Sequence, residues 1–331
     1  YLMLLETAVL LLCYRETEYS GGIYRYVLSY GDFSMLIAAA AMAAALLMTL
    51  FLFRFQNRRE SSDFYHSLPN TRTSLFTSFF TAVLTWMAAG VLLAAVTSIV
   101  GLYLFSPFNS LIIFPSFATV ATSFFLALAS GLFIAAVTVL AMSFTGTLLS
   151  NVLVTAMFAV GPRLLVVVYF ELLNGMLPIL PAMGYNSVFD LHYNPLFYLF
   201  SEERYSTDTS SMMTAALYSL VIGLAYAILA WLVFRCRRSE SAGQSAINRV
   251  LQAAFRLMLA MLFCLLPCVA IVNGNTETFQ VFVYYLLALT VFFLYELITT
   301  RKVRNLLKAV PSLGILLVLN VAFITSFSAV K

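Results

Sequence analysis

Charge is the scarcest thing in this chain. Only 10% of its 331 residues are Asp, Glu, Lys or Arg, while 62% are hydrophobic. A soluble domain carries about 25% charged and about 45–50% apolar residues. No soluble core could enclose this much apolar surface, so the excess must face lipid. Mean hydropathy is +0.96. The short alternating segments of a membrane β-barrel are missing too; the apolar runs are long and continuous. The fold class expected is therefore an all-α polytopic membrane protein.

Other absences narrow the chemistry. No GxxxxGK[ST] phosphate loop is present, so the chain does not itself bind ATP in the P-loop manner. HExxH and GxSxG are also missing. The two histidines and scattered acids form no metal constellation, and no metal site is expected. His66 lies in a polar linker and reads as a hydrogen-bonded histidine rather than a base. His192 falls in a region assigned outside. The four cysteines, Cys13, Cys236, Cys264 and Cys268, contain no CxxC pair. Cys264 and Cys268, four apart in an apolar run, read as small packing residues.

Apolar runs of spanning length cover 33–53, 74–105, 117–144, 152–173, 212–234, 250–272, 279–297 and 310–327. Residues 1–13 read as the tail of a first helix whose beginning is absent, which makes nine segments; both ends of the chain look cut. A polar loop runs from Tyr14 to Asp32. The run at 152–173 contains Gly161-Pro162-Arg163 and is expected to break there. Pro267 marks a second break. The segment 175–211 is the longest that does not span, and its aromatic residues suggest a part lying at the membrane interface.

The alternation of loops can be tested against charge. Arg54, Arg58, Arg59, Arg72, Arg235, Arg237, Arg238, Arg249, Arg256, Arg301, Lys302, Arg304 and Lys308 all fall on one side, thirteen of the 18 basic residues. The positive-inside rule makes that side cytoplasmic. The loops 54–73, 235–249 and 301–308 are then inside, with the short connection 143–151, and 175–211 is outside. The whole chain reads as a single membrane domain.

Arg54, Arg58 and Arg59 read as orientation charges near anionic lipid. Asp63-Phe64-Tyr65-His66-Ser67-Leu68-Pro69 is different. Its rings and its leucine sit in a short polar linker where nothing obliges them to be. Pro69 stops a short helical turn, and Thr71 or Thr73 can cap the next helix. Such a turn must bury its apolar faces, either on the ends of its own helices or on a cytoplasmic partner. In the second basic stretch, Ser239-Glu240-Ser241 can cap a helix and Gly243 permits a tight bend. That stretch is either a solvated linker or a second partner contact.

Asp63 to Pro69, followed by Arg72 and Ser74-Leu75-Phe76, resembles a cytoplasmic signature of permease subunits of bacterial ABC-2-type exporters. Arg237-Arg238-Ser239-Glu240-Ser241-Ala242-Gly243 resembles a second signature of that family, and Tyr295-Glu296 before Arg301-Lys302 a weaker third. The chain departs from the first pattern at Asn70-Thr71. The resemblance implies that Asp63, Phe64, Tyr65, His66, Ser67, Leu68 and Pro69, with Arg72, form a coupling helix docking on a separate ATP-binding subunit. Arg237, Arg238, Ser239, Glu240 and Gly243 would form the second contact. ATP and Mg would be bound by that partner, with no cofactor in this chain. The partners implied are that ABC ATP-binding subunit, a second permease copy or paralogue, and the lipid bilayer, with no nucleic acid. The setting implied is the bacterial cell membrane, and the cargo a hydrophobic or amphipathic peptide, lipid or drug.

Ionisable residues at depth are functional candidates by default. Arg163, Glu171 and Glu296 form this class. A deep Arg163 needs a partner, and Glu171, Glu296 and Glu6 qualify; otherwise it snorkels or lines a pathway. Two rival functions stay open. A secondary transporter would use the breaks at Pro162 and Pro267. A sensor subunit would use 175–211.

Overall fold

In the computed structural model of the protein, the described residues are 17–20, 23–26, 28–67, 69–105, 112–113, 115–176, 194–198, 209–237, 242–244, 246–272, 278–300 and 303–328. The expected segment 1–13, Glu6, Leu68, His192, most of 175–211, Arg238, Ser239, Glu240, Arg301 and Lys302 lie outside them, as does the side chain of His66.

Among the described residues, eight helices are long and apolar enough to cross a membrane. They are α1 (Tyr30–Leu52), α3 (Arg72–Phe105), α4 (Phe117–Phe144), α5 (Leu148–Met176), α7 (Thr209–Cys236), α8 (Arg249–Val272), α9 (Thr278–Thr300) and α11 (Pro311–Ser328). Each covers one of the eight complete apolar runs. Three short helices join them: α2 (Arg59–Ser67), α6 (Pro195–Tyr198) and α10 (Arg304–Ala309). The polar stretch 14–32 carries a small antiparallel hairpin, β1 (Thr17–Ser20) with β2 (Ile23–Tyr26), on either side of Gly21-Gly22. Leu28–Ser29 (β3) pairs in parallel with Ile112–Ile113 (β4).

The hydroxyls in these helices do not interrupt them. Along α3, Thr77 donates to the Thr73 carbonyl at 3.0 Å, Thr81 to Thr77 at 2.7 Å and Ser98 to Ala94 at 2.8 Å. Each of these three hydroxyls is satisfied within its own helix, as lipid demands. The starts are capped by side chains. Ser116 accepts from the Thr119 amide at 3.2 Å, and Asn248 from the Val250 and Leu251 amides at 2.7 and 3.3 Å.

Two sequence expectations are corrected here. Gly161-Pro162 does not break its helix: α5 runs unbroken from Leu148 to Met176 with Pro162 inside it. Pro267 likewise lies inside an unbroken α8. In hydrocarbon a real break would orphan several backbone groups, whereas one proline removes a single amide, so the helix persists.

The chain divides into two compact units. Unit 1 holds 1–53, 70–139 and 192–232; unit 2 holds 54–69, 140–191 and 233–331. In unit 1, α1 packs on α3, with the Phe53 ring 6.1 Å from Phe76 and 5.8 Å from Phe79. Leu126, Ala129, Tyr198, Met212, Ala215 and Ala216 form its buried cluster. In unit 2, α8 is the hub, packed against α5, α9 and α11. Phe255 meets Phe144 and Phe158 edge to face at 6.0 and 5.9 Å, and those two rings lie tilted 6.1 Å apart.

Glycine matters where α7 meets α4. A Cβ on Gly223 would stand 3.1 Å from the Phe133 Cα and 3.2 Å from its nitrogen. Backbone cannot rotate away, so the helices would have to separate. A Cβ on Gly131 would overlap the Met87 Sδ, near the end of a flexible side chain. Gly223→Val should therefore cost about 1–3 kcal/mol through overpacking. Gly131→Ala should cost less, and Gly90→Ala, with nothing within 4 Å, should be tolerated. Thermal unfolding of the three variants in detergent checks this order.

Candidate functional site: the inner linkers of unit 2

Three of the linkers that the charge count places on one side meet in unit 2, at residues 56–57, 145–151 and 237–244. The chain leaves α1 through a 3-10 turn, Phe53–Asn57, and enters α2 at Arg59. Helix α2 is the expected short helix, ending before Pro69. The next helix is capped by Thr71, whose Oγ1 accepts from the Ser74 amide at 3.2 Å and sits 2.9 Å from the Thr73 hydroxyl.

Helix α2 has two faces. Ser62 is buried, and the half-buried Tyr65 lays its ring 4.7 Å from that of buried Phe55. Arg59, Glu60, Asp63, Phe64 and Ser67 are exposed. These positions recur at intervals of one and three to four residues, so they form one stripe. Phe64 is 61% exposed, with its ring edge-on to Tyr65 at 5.6 Å. The Ser67 hydroxyl donates to the Phe64 carbonyl at 2.8 Å and closes the last turn. The two rings of the motif part ways: Tyr65 packs on its own chain, and Phe64 faces outward. Pro69 and Arg72 are exposed.

The second basic stretch departs from expectation. Arg237 is only 5% exposed and points inward. Its guanidinium donates to the Gln56 carbonyl at 2.9 Å, to the Gln56 Oε1 and to the Met142 carbonyl. Burial pulls its pKa from 12.5 down to about 10, so it remains a cation at neutral pH. The lost hydration is offset by these three acceptors, a geometry that suits a planar fork. Arg237 is therefore no outward contact for a partner. Gly243 fits its expected bend, with φ at 81°, in the left-handed region that glycine enters without steric cost. Around that bend the Gly243 amide donates to Gly146 at 3.0 Å and the Gly146 amide to Gln244 at 2.9 Å. The expected cap at Ser239–Ser241 lies outside the described residues; α8 is capped by Asn248.

A third contact closes the group. The Asn151 Nδ2 donates to the Asn57 Oδ1 at 3.0 Å, and the Thr145 hydroxyl donates to the Asn151 Oδ1. Residues 56–57, 145–146, 151, 237 and 243–244 are thus tied by hydrogen bonds, with Gln56, Asn57, Thr145, Asn151 and Arg237 buried or half-buried.

The intramembrane charges are arranged differently from the sequence expectation. Glu296, a candidate partner for Arg163, is taken by Arg256 at 2.6 Å, both side chains being 7% exposed. Arg256 also donates to the Ser312 hydroxyl at 2.7 Å and lies 4.8 Å from the centre of the Phe292 ring. Gln252, one turn before Arg256, donates to both Glu296 oxygens at 3.3 and 3.2 Å. Arg163 is half-buried in α5 and Glu171 is exposed. Sequence reading passed over Arg256 as one more inner charge. The signal available was Gln252 and Arg256, four apart on one helix face that runs into apolar sequence.

Among the described residues no group of three or more His, Cys, Asp or Glu side chains could hold a metal ion. Compared with known proteins, the chain matches no family model, no curated protein and no solved structure. What the fold establishes is a multi-pass membrane protein with eight candidate spans.

Proposed function

We propose that this chain is the membrane-spanning subunit of an ABC-2-type exporter in a bacterial cell membrane. It moves a hydrophobic or amphipathic cargo outward, powered by ATP hydrolysis on a separate subunit. The observation that carries the reading is α2. It is a short helix between two spanning helices, held by Tyr65 on one face and offering Phe64 beside Asp63 on the other. An exposed aromatic on a short, anchored helix is the form a docking knob takes. The resemblance of residues 63–76 to the exporter signature gives the knob its socket, and a second permease copy or paralogue would complete the pathway. A secondary transporter is less well supported, because the breaks it would use at Pro162 and Pro267 lie in continuous helices.

The purified chain should hydrolyse no ATP. Co-expressed with its gene neighbours, it should co-purify with an ATP-binding-cassette subunit and an ATPase activity. Hydrolysis by the chain alone, or cargo movement that survives ATP depletion but collapses with the ion gradient, would count against the reading.

A further inference from the structure

We propose that Arg237 is a positioning residue that bolts the entry of α2 to the inner end of α4, so that α2 moves as one block with the helix ends beneath it. The significance for coupling rests on the exporter reading; the bolt itself does not. Three elements meet at this one side chain. It stands one residue after the end of α7, it grips both the backbone and the side chain of Gln56 just before α2, and it grips the Met142 carbonyl in the last turn of α4. Gln56 is 2% exposed, so the clamp is dry. The Asn57–Asn151–Thr145 chain ties the same turn to the start of α5.

Contact pattern and chain connectivity disagree here in an informative way. Helix α2 is joined covalently to α1 and α3, which belong to unit 1 but for the end of α1's exit turn, yet α2 itself belongs to unit 2. The segment 54–69 that carries it is tied to the rest of unit 2 by Gln56 and Asn57, just before α2. A push on the exposed stripe of α2 is therefore delivered through hydrogen bonds to the ends of α4, α5 and α7 that lie in unit 2. A lysine could not replace the arginine, since one ammonium cannot present a planar fork to two backbone carbonyls and an amide oxygen.

The test uses the full chain in lipid nanodiscs, with Cys13→Ser and Cys236→Ser as background. Spin labels at Ser67→Cys in α2 and Leu149→Cys in α5 report the bolted pair. Labels at Val250→Cys and Leu307→Cys report unit 2 away from it. Wild type should give a single narrow distance distribution for both pairs. Arg237→Ala should lose the narrow peak for the first pair and keep it for the second. Arg237→Lys, which keeps charge and length and serves if the alanine variant does not fold, should do the same. A general loosening would broaden both pairs, and an unchanged first pair in Arg237→Lys would leave α2 held by other contacts; either result overturns the proposal. The measurement is made without an ATP-binding subunit, so failure of the exporter reading leaves its outcome intact.

Discussion

Glu296→Ala should destabilise unit 2 by about 3–5 kcal/mol, the cost of leaving a buried charge without its partner. Arg256 would keep only the Ser312 hydroxyl and the Phe292 ring in a site where its side chain is 7% exposed. Arg256→Ala should cost as much, because Glu296 would retain only Gln252. The double change Arg256→Ala with Glu296→Ala should fall well short of the sum, since removing both charges also removes both desolvation penalties. Thermal unfolding of the four proteins in detergent gives the cycle. Additive losses would show that the two residues act independently and that the ion pair contributes nothing as a pair.

The second large effect separates two adjacent rings. Phe64→Ala should leave the fold within about 0.5 kcal/mol of wild type, because the side chain lies mostly in the open. It should weaken association with an ATP-binding subunit by about 2 kcal/mol, roughly 30-fold, as expected of an aromatic anchor. Tyr65→Ala should behave oppositely in the isolated chain. It removes the ring packed on Phe55 and should cost on the order of 1–2 kcal/mol of stability. Melting temperature and affinity for the partner subunit, measured side by side, distinguish them. If Phe64→Ala melted early and bound normally, the outward knob would be a packing residue after all.

The spanning helices were readable from hydropathy alone, since lipid requires long apolar runs and little else at that scale. The short helix before Pro69 and the cap at Thr71 were also readable, because proline and threonine act locally. The failures share a different cause. The proline breaks were overestimated because the environment, not the residue, decides whether a helix can afford to open. The hairpin around Gly21-Gly22 was passed over as loop, although two glycines between runs rich in Tyr, Thr and Ile are a hairpin signal. Arg237 was read outward because a run of arginines carries no mark of which one turns in. Its acceptors lie 95 and 181 residues away in sequence. Glu296 and Arg256, 40 residues apart, posed the same problem. Such partners become visible only once the helices are packed.

The most direct test of the exporter reading is affinity capture of an ATP-binding-cassette subunit by the tagged chain expressed with its gene neighbours, wild type against Phe64→Ala. The account predicts a stable complex with ATPase activity for wild type and loss of the subunit for a variant that remains folded. Absence of any complex with wild type, or equal retention by both, would contradict it.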